Sequence, residues 1–221
     1  MFKLPRPQEA ATLHQDEYEA LHRVTNVSYT DGTPSVWYTY DTDPIAGCTA
    51  PSLSASYLIG HMEAMCDASG ATAWSYDKMG RTWTEARRIG TATDQIDYAY
   101  YLNGATKTVT YPAAGGTRFV MTYNENGAGR IDRATGSDGV TYAQVNSTWA
   151  SGAPNSWQLG SNVSLVDTYN SRLQPLQSTA TQTSPSNTLF SRTYNFNAGS
   201  GDNGIELHCH GRRNQRLGEL L

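Results

Sequence analysis

The sequence predicts an all-β protein, built from tandem β-hairpins in an antiparallel sheet. The chain has 221 residues, of which 14 are Tyr and 20 are Gly. Aromatic and β-branched residues with many glycines are typical of short strands joined by tight turns. Leu, Ile, Val and Phe are few, but a net charge of −4 is too small to indicate a disordered chain. A tyrosine-centred motif also recurs along the sequence.

The recurring motif is clearest at residues 74–81, which read WSYDKMGR. Anchor tyrosines at positions 18, 40, 76, 100, 123, 169 and 194 are 22, 36, 24, 23, 46 and 25 residues apart. This spacing indicates a repeat, with an insertion after the second anchor and one degenerate copy in the longest gap. The residues that carry the motif are Tyr18, Arg23, Tyr38, Tyr40, Asp41, Trp74, Tyr76, Asp77, Gly80, Arg81, Tyr98, Tyr100, Tyr123, Gly129 and Arg130.

Each period reads as one hairpin, with the motif linking it to the next. The alternating segments predict hairpins over residues 23–40, 61–76, 106–123 and 130–145, with turns at 31–32, 67–70, 112–116 and 137–139. In the motif, Asp77 is expected to end a strand with an Asx-turn, Gly80 to adopt positive φ, and Arg81 to begin the next strand. A catalytic role for this Asp is the alternative, and turn chemistry is favoured because the residue recurs with the repeat.

The motif copies, and above all AMCDASGATAWSYDKMGR at residues 64–81, resemble the RHS or YD-repeat family of bacterial proteins. Teneurins and insecticidal toxin-complex subunits are similar. The resemblance implies a curved, spiralling sheet that forms part of a shell around a C-terminal effector, often a toxin. It implies a structural rather than enzymatic role, and a location outside the cell or at its surface. The implied partners are the remainder of a longer RHS polypeptide and that effector.

Three regions are expected along the chain. Residues 1–17 form a lead-in, residues 18–204 carry the repeats with an insertion at about 42–59, and residues 205–221 form a non-repeat tail, either disordered or frame-shifted. Because roughly eight periods are too few to close a shell of the family's size, the chain is expected to be several turns of a longer ribbon.

Cysteine and histidine residues offer two candidate sites. Cys48 lies in the insertion and Cys66 on the strand beyond it, so a disulfide there would staple the insertion to the sheet. The alternative is two free buried thiols. The segment from His208 to His210, with Cys209 between them and Glu206 nearby, is the one metal-like cluster of the sequence. It has too few ligands for a closed zinc site, so no metal or cofactor is expected.

Several function classes are disfavoured by composition. A pI of about 5.7 without a basic stripe argues against nucleic-acid binding, and the sequence holds no apolar run long enough to span a bilayer. The sequence also lacks the nucleophile, zinc-protease and phosphate-loop motifs of common enzymes. The alternative function is a carbohydrate-binding module in which tryptophans stack on sugar rings. The competing explanation for the same side chains is that they pack across strands and stabilise the sheet. The candidate residues are Trp37, Trp74, Trp83, Trp149 and Trp157.

Overall fold

The computed structural model describes residues 14–41, 48–54, 56–194 and 196, and the backbone of 205–208. Within these residues the protein is all-β, and no helix there is long and apolar enough to cross a membrane. The strands are β1 (His14–Tyr18), β2 (Val24–Tyr29), β3 (Val36–Tyr40), β4 (Met62–Asp67), β5 (Gly70–Tyr76), β6 (Thr82–Ile89), β7 (Ala92–Tyr100), β8 (Thr106–Ala114), β9 (Thr117–Glu125), β10 (Ile131–Gly136), β11 (Thr141–Thr148), β12 (Pro154–Leu159), β13 (Val163–Tyr169), β14 (Pro175–Thr183), β15 (Ser186–Tyr194) and β16 (Ile205–His208). Their order in the sheet follows their order in the chain. The predicted fold class of tandem antiparallel hairpins is therefore confirmed.

The chain divides into two compact units. The first comprises Met1–Ala99 and Val109–Arg118, and the second comprises Tyr100–Thr108 and Phe119–Leu221. In the first unit, β1 to β7 form a continuous antiparallel ladder. In the second unit, β9 to β16 do the same. Each ladder is a meander, so every added hairpin extends the sheet by two strands.

The core of the first unit consists of small side chains. Strand register places Thr39 beside Ala64, Ala64 beside Ala73, and Ala73 beside Ala86, and all four residues are buried. Cys66, Ala71, Ser75 and Thr84 are buried as well. Small residues let another segment of chain approach a sheet closely, because few side-chain atoms stand between the two backbones.

The inserted segment makes this close approach. Leu58 is buried, the amide of Tyr76 donates to the carbonyl of Ser56 at 3.1 Å, and the guanidinium of Arg88 donates to the carbonyl of Thr49. The insertion therefore packs against the first unit and contributes the buried Leu58. Residues 42–47 and Ala55 of the insertion lie outside the described residues.

The second unit relies on half-buried side chains more than on a dry core. Ala180 is buried, and edge-to-face ring pairs join Phe119 to Tyr142 and Trp149 to Tyr169, with centroids 6.1 Å and 6.0 Å apart. Edge-to-face ring contacts of this kind add to the stability of the packing. At its end, the backbone of β16 pairs with β15, within the region that was expected to be a tail.

Candidate functional site

A five-residue turn is the feature that recurs most often in the structure. In each copy, the amide of the first residue donates to the carbonyl of the fifth, and the amide of the fourth donates back to the carbonyl of the first. We call the copies at residues 19–23, 77–81, 101–105, 126–130, 149–153 and 170–174 the motif turns. They follow β1, β5, β7, β9, β11 and β13. A turn of the same form at 136–140 follows β10.

The fourth position of every motif turn has positive φ. The values are 60° at His22, 76° at Gly80, 92° at Gly104, 69° at Gly129, 84° at Gly152 and 62° at Leu173. This left-handed conformation closes a three-residue hairpin loop with a bulge. Glycine adopts it without steric cost, whereas a side chain there is strained. The glycine of the motif is thus explained by backbone geometry.

The first position of three motif turns provides the acceptor that organises the loop. The Oδ1 atom of Asp77 accepts hydrogen bonds from the amides of Met79 and Arg81 at 2.8 Å and 3.0 Å. Its Oδ2 atom accepts from Arg81 Nε at 2.7 Å. Asn126 and Asn170 accept the same two amides in their own turns. The recurring Asp or Asn is therefore occupied in holding the turn.

The ionisation of Asp77 follows from these contacts. Burial raises the pKa of its carboxyl, but hydrogen bonds from the Arg81 side chain and from the Arg81 and Met79 amides outweigh it, so the pKa is lowered overall. A general acid needs the opposite shift, toward a neutral carboxyl at working pH. The arrangement suits a turn-stabilising carboxylate that is ionised at neutral pH.

In two of the other motif turns, 101–105 and 149–153, the side-chain acceptor lies at the third position. Asn103 Oδ1 accepts from the amide of Ala105 at 2.9 Å, and Ser151 Oγ accepts from the amide of Ala153 at 3.4 Å. These turns lack an Asp or Asn at the first position, where Tyr101 and Trp149 stand instead. Residues 149–153 fill the longest gap between anchors, where one degenerate copy was expected.

The positions of the turns define the length of the repeat more closely than the anchor tyrosines do. The first positions of the motif turns, together with Asp41 at the insertion, are residues 19, 41, 77, 101, 126, 149 and 170, and their spacings are 22, 36, 24, 25, 23 and 21. Tyr18, Tyr40, Tyr76 and Tyr100 each come directly before a first position. Tyr123 does not, because β9 continues two residues further, to Glu125.

Side chains connect successive turns within the first unit. Arg23 forms ion pairs with Glu19 of its own turn and with Asp41 at the next, and its guanidinium lies 4.4 Å from the Tyr40 ring centroid. Hydrogen bonds from Arg23 and from the amide of Gly60 lower the pKa of Asp41. The ion pair between Arg23 and Asp41 thus connects one period of the repeat to the next.

The next connection in the first unit is aromatic. His61 stands at the end of the insertion, and its ring stacks on Tyr76 with centroids 4.3 Å apart. A Cβ atom placed on Gly80 would lie only 3.1 Å from the same imidazole. The Tyr76 hydroxyl donates to the carbonyl of Met62 at 2.7 Å. Gly80 is therefore required both by its φ and by the ring that passes over it.

The second unit connects its turns in the same way. Asn103 Nδ2 donates to Glu125 and to the carbonyl of Gly129. The Tyr101 hydroxyl donates to the carbonyl of Tyr123 at 2.8 Å. The guanidinium of Arg130 occupies the space that a side chain at Gly152 would need. Each unit therefore has one side on which turns contact the next turn along the chain.

The remaining motif residues support the strands that lead into these turns. Tyr38 lies in β3, Trp74 in β5 and Tyr98 in β7, and all three are half-buried. The connections made by Asn103 and by His61 were not predicted. Both residues stand at places where the sequence departs from the motif letters.

Cys48 and Cys66 are joined by a disulfide, with Cα atoms 5.3 Å apart. The bond fixes the start of the described part of the insertion onto β4. Of the metal-like cluster, Cys209 and His210 lie outside the described residues, and only the backbone of Glu206 and His208 is described. Elsewhere in the described chain, no group of three or more His, Cys, Asp or Glu residues is arranged to hold a metal.

A polar cleft of about 410 Å³ lies in the first unit, between residues 52–54 of the insertion and the sheet. Its lining residues are Ser52, Leu53, Ser54, Ser75, Trp83, Thr84, Gln95 and Asp97. Of the candidate sugar-binding tryptophans, Trp83 is 46% exposed and Trp149 is 37% exposed, whereas Trp37, Trp74 and Trp157 are half-buried. The indole nitrogen of Trp157 donates to Asp167 Oδ2 at 3.2 Å.

Comparisons with solved structures identify similar folds. A TcdB2-TccC3-Cdc42 crystal structure has a TM-score of 0.63 at 14% identity, covering 84% of this chain and 10% of that chain. A TcdB2-TccC3 crystal structure has a TM-score of 0.61 at 13% identity, covering 84% and 10%. A TcdB2-TccC3 structure without its hypervariable C-terminal region has a TM-score of 0.58 at 12% identity, covering 83% and 11%. This chain thus spans about a tenth of the length of the chains it matches.

Comparisons of the amino-acid sequence identify no related protein. No protein-family model matches the chain, and no curated protein matches it. At these identities the likeness to solved structures establishes the fold, and the all-β repeat architecture expected from the resemblance to YD-repeat proteins agrees with it.

Proposed function

We propose that this chain is a structural segment of a YD-repeat shell, part of a longer RHS-type polypeptide that encloses a C-terminal effector or toxin. The observation that carries the proposal is the series of motif turns, which recur every 21 to 25 residues outside the insertion and contact one another in each unit. Such a repeat adds two strands at a time without a natural end, which suits a wall assembled from many periods.

The size relation supports a longer polypeptide. The match covers only about a tenth of each solved chain of similar fold. One of those structures is described as being without its hypervariable C-terminal region. By analogy, the remainder of the polypeptide is the first partner of this chain, and a variable C-terminal effector is the second.

The repeats themselves are proposed to perform no chemistry. Asp41 and Asp77 accept hydrogen bonds from neighbouring arginines and backbone amides, and the pKa of each is lowered. Carboxylates fixed in this state are poor general acids. The Cys48–Cys66 disulfide fits an oxidising compartment, so we place the protein outside the cell or at its surface.

The enclosure of an effector is tested by protease protection. An antibody raised against this chain would capture the native polypeptide, which is then treated with protease either folded or after denaturation in urea. We expect the C-terminal segment to survive in the folded sample and to be digested in the denatured one, as read by mass spectrometry. Equal digestion of that segment in both samples would contradict enclosure.

The alternative function, carbohydrate binding, is favoured by one specific place in the chain. This is the polar cleft beside Trp83, where an exposed tryptophan and several hydroxyl and carboxamide groups lie together. Binding there is compatible with a structural role for the sheet, because the cleft does not use the motif turns.

A further inference from the structure

The floor of the polar cleft is one row of side chains across three strands. Strand register pairs Ser75 with Thr84, and Thr84 with Asp97, so all three side chains project from the same face. Ser75 is 2% exposed and Thr84 is 8% exposed. Gln95 stands two residues before Asp97 on β7 and therefore shares that face. The floor is thus a fixed set of hydroxyl, carboxamide and carboxylate groups.

Trp83 enters the cleft because the ladder is irregular at that point. Ser75 pairs with Thr84 but Tyr76 pairs with Thr82, which leaves Trp83 as the extra residue of a β-bulge. A bulge interrupts the alternation of side chains and re-aims the extra residue. Trp83 and Thr84 therefore line the same cleft although they are adjacent in sequence. Trp83 is also more exposed than the other four tryptophans, all of which the structure describes.

The charge in the cleft is balanced and held in place. Asp97 pairs with Arg118 and accepts from Gln95 Nε2 at 2.8 Å. Arg118 in turn donates to the carbonyls of Gln95 at 2.8 Å and Thr110 at 3.2 Å. A carboxylate has about four acceptor sites, and Asp97 accepts from Gln95, Arg118 and the Thr84 side chain, so it can accept one further hydrogen bond from a ligand while it stays paired. A paired carboxylate offers neither an anion nor a cation a free counter-charge.

We propose that this cleft binds a neutral saccharide, with the ring face of one sugar against Trp83 and its hydroxyls against Thr84, Gln95 and Asp97. An exposed indole provides an apolar face for the C–H side of a pyranose ring, and the polar floor satisfies the hydroxyls. A volume of about 410 Å³ falls in the range of roughly 300–1,000 Å³ typical of small-molecule sites.

The wall of the cleft opposite the sheet depends on the insertion. Ser52, Leu53 and Ser54 line that wall, and the segment is held by the disulfide at Cys48 and by the bond from Arg88 to the carbonyl of Thr49. We therefore expect saccharide binding to weaken when the disulfide is reduced. The motif turns use no cysteine, so the repeat architecture should persist under the same treatment.

The test uses methyl glycosides of the common neutral hexoses and N-acetylhexosamines as probes, with saturation-transfer NMR on the purified chain. We expect at least one glycoside to bind with a millimolar Kd, and its affinity to fall at least tenfold in Trp83→Ala. Trp149→Ala is the matched control, because that tryptophan is exposed but lies in the second unit. Thr84→Ser, which keeps a hydroxyl in place, serves as a second variant and should retain binding.

Three results would overturn the proposal. One is the absence of any signal at roughly 50 mM glycoside, well above the Kd expected of a small open site. The second is equal loss of binding in Trp83→Ala and Trp149→Ala. The third is a ligand whose binding survives Trp83→Ala. None of these results bears on the size of the native polypeptide, so the shell proposal is tested separately.

Discussion

The role of Asp77 in its turn can be tested by two substitutions with different predicted costs. Asp77→Ala removes the acceptor of the Met79 and Arg81 amides and the ion pair with the Arg81 guanidinium. Asp77→Asn removes the charge but keeps an oxygen for both amides, as Asn126 and Asn170 do in their own turns. The two variants therefore separate turn geometry from charge.

The magnitudes follow from those contacts. Two backbone hydrogen bonds contribute about 1 kcal/mol each, and an i,i+4 ion pair contributes about 0.5 kcal/mol. We expect Asp77→Ala to lower the free energy of unfolding by about 2.5 kcal/mol and Asp77→Asn by about 0.5 kcal/mol. With an m-value of about 2 kcal/mol/M, the alanine variant should unfold at about 1 M less urea.

The assay is urea unfolding at pH 7 followed by tryptophan fluorescence, with amide hydrogen exchange at Met79 and Arg81 as a local readout. Asp94→Ala is the matched control, since Asp94 is exposed and should change stability by no more than about 0.5 kcal/mol. Equal losses in the alanine and asparagine variants would refute the turn argument. So would an Asp77→Ala variant no less stable than the Asp94→Ala control.

Three further predictions concern the glycine, the disulfide and pH. Gly80→Ala should lower the free energy of unfolding in urea by about 1–2 kcal/mol, because φ is 76° and the new Cβ would press on His61. The control Gly127→Ala, where a Cβ meets open space, should change that free energy by no more than about 0.5 kcal/mol. Equal losses in the two variants would contradict the argument. Replacing Cys48 and Cys66 by Ser should lower the free energy of unfolding by about 3 kcal/mol, for a separation of 18 residues. Thiol titration of the denatured wild type should detect only Cys209. Detection of three thiols would contradict the disulfide. The pKa values of Asp41, Asp67, Asp77, Asp97 and Asp138 are lowered in the fold, so their contribution is present above the unfolded pKa of about 4 and is lost as pH falls through the folded values. Unfolding free energy that rises from pH 5 to pH 3 would contradict this assignment.

Local features of the fold could be predicted from the sequence because they depend on a few neighbouring residues. The positive φ of Gly80 and the hydrogen bonds of Asp77 both arise within one five-residue turn. The turn at 101–105 is less apparent, because its acceptor Asn103 stands at a different position from Asp77. The turn predicted at 112–116 is shorter in the structure, since β8 continues to Ala114 and leaves Gly115 and Gly116 at its tip.

Long-range features could not be predicted in the same way. The aromatic content suggests that tyrosines and tryptophans form the core, yet Tyr40 and Tyr76 are half-buried. The buried positions are instead Ala64, Ala73 and Ala86, which lie side by side on three neighbouring strands of the sheet that the insertion packs against. The polar cleft depends on the same packing and on the bulge at Trp83, and neither leaves a periodic signal in the sequence.

The claim that this chain is a segment of a larger repeat shell is tested most directly by the mass of the natural polypeptide. An immunoblot of the producing cells and their medium, with an antibody against residues 64–81, would measure it. The account predicts a reactive species several times larger than the 24.1 kDa of this chain, before any proteolysis. A single reactive species at 24.1 kDa, in both cells and medium, would contradict it.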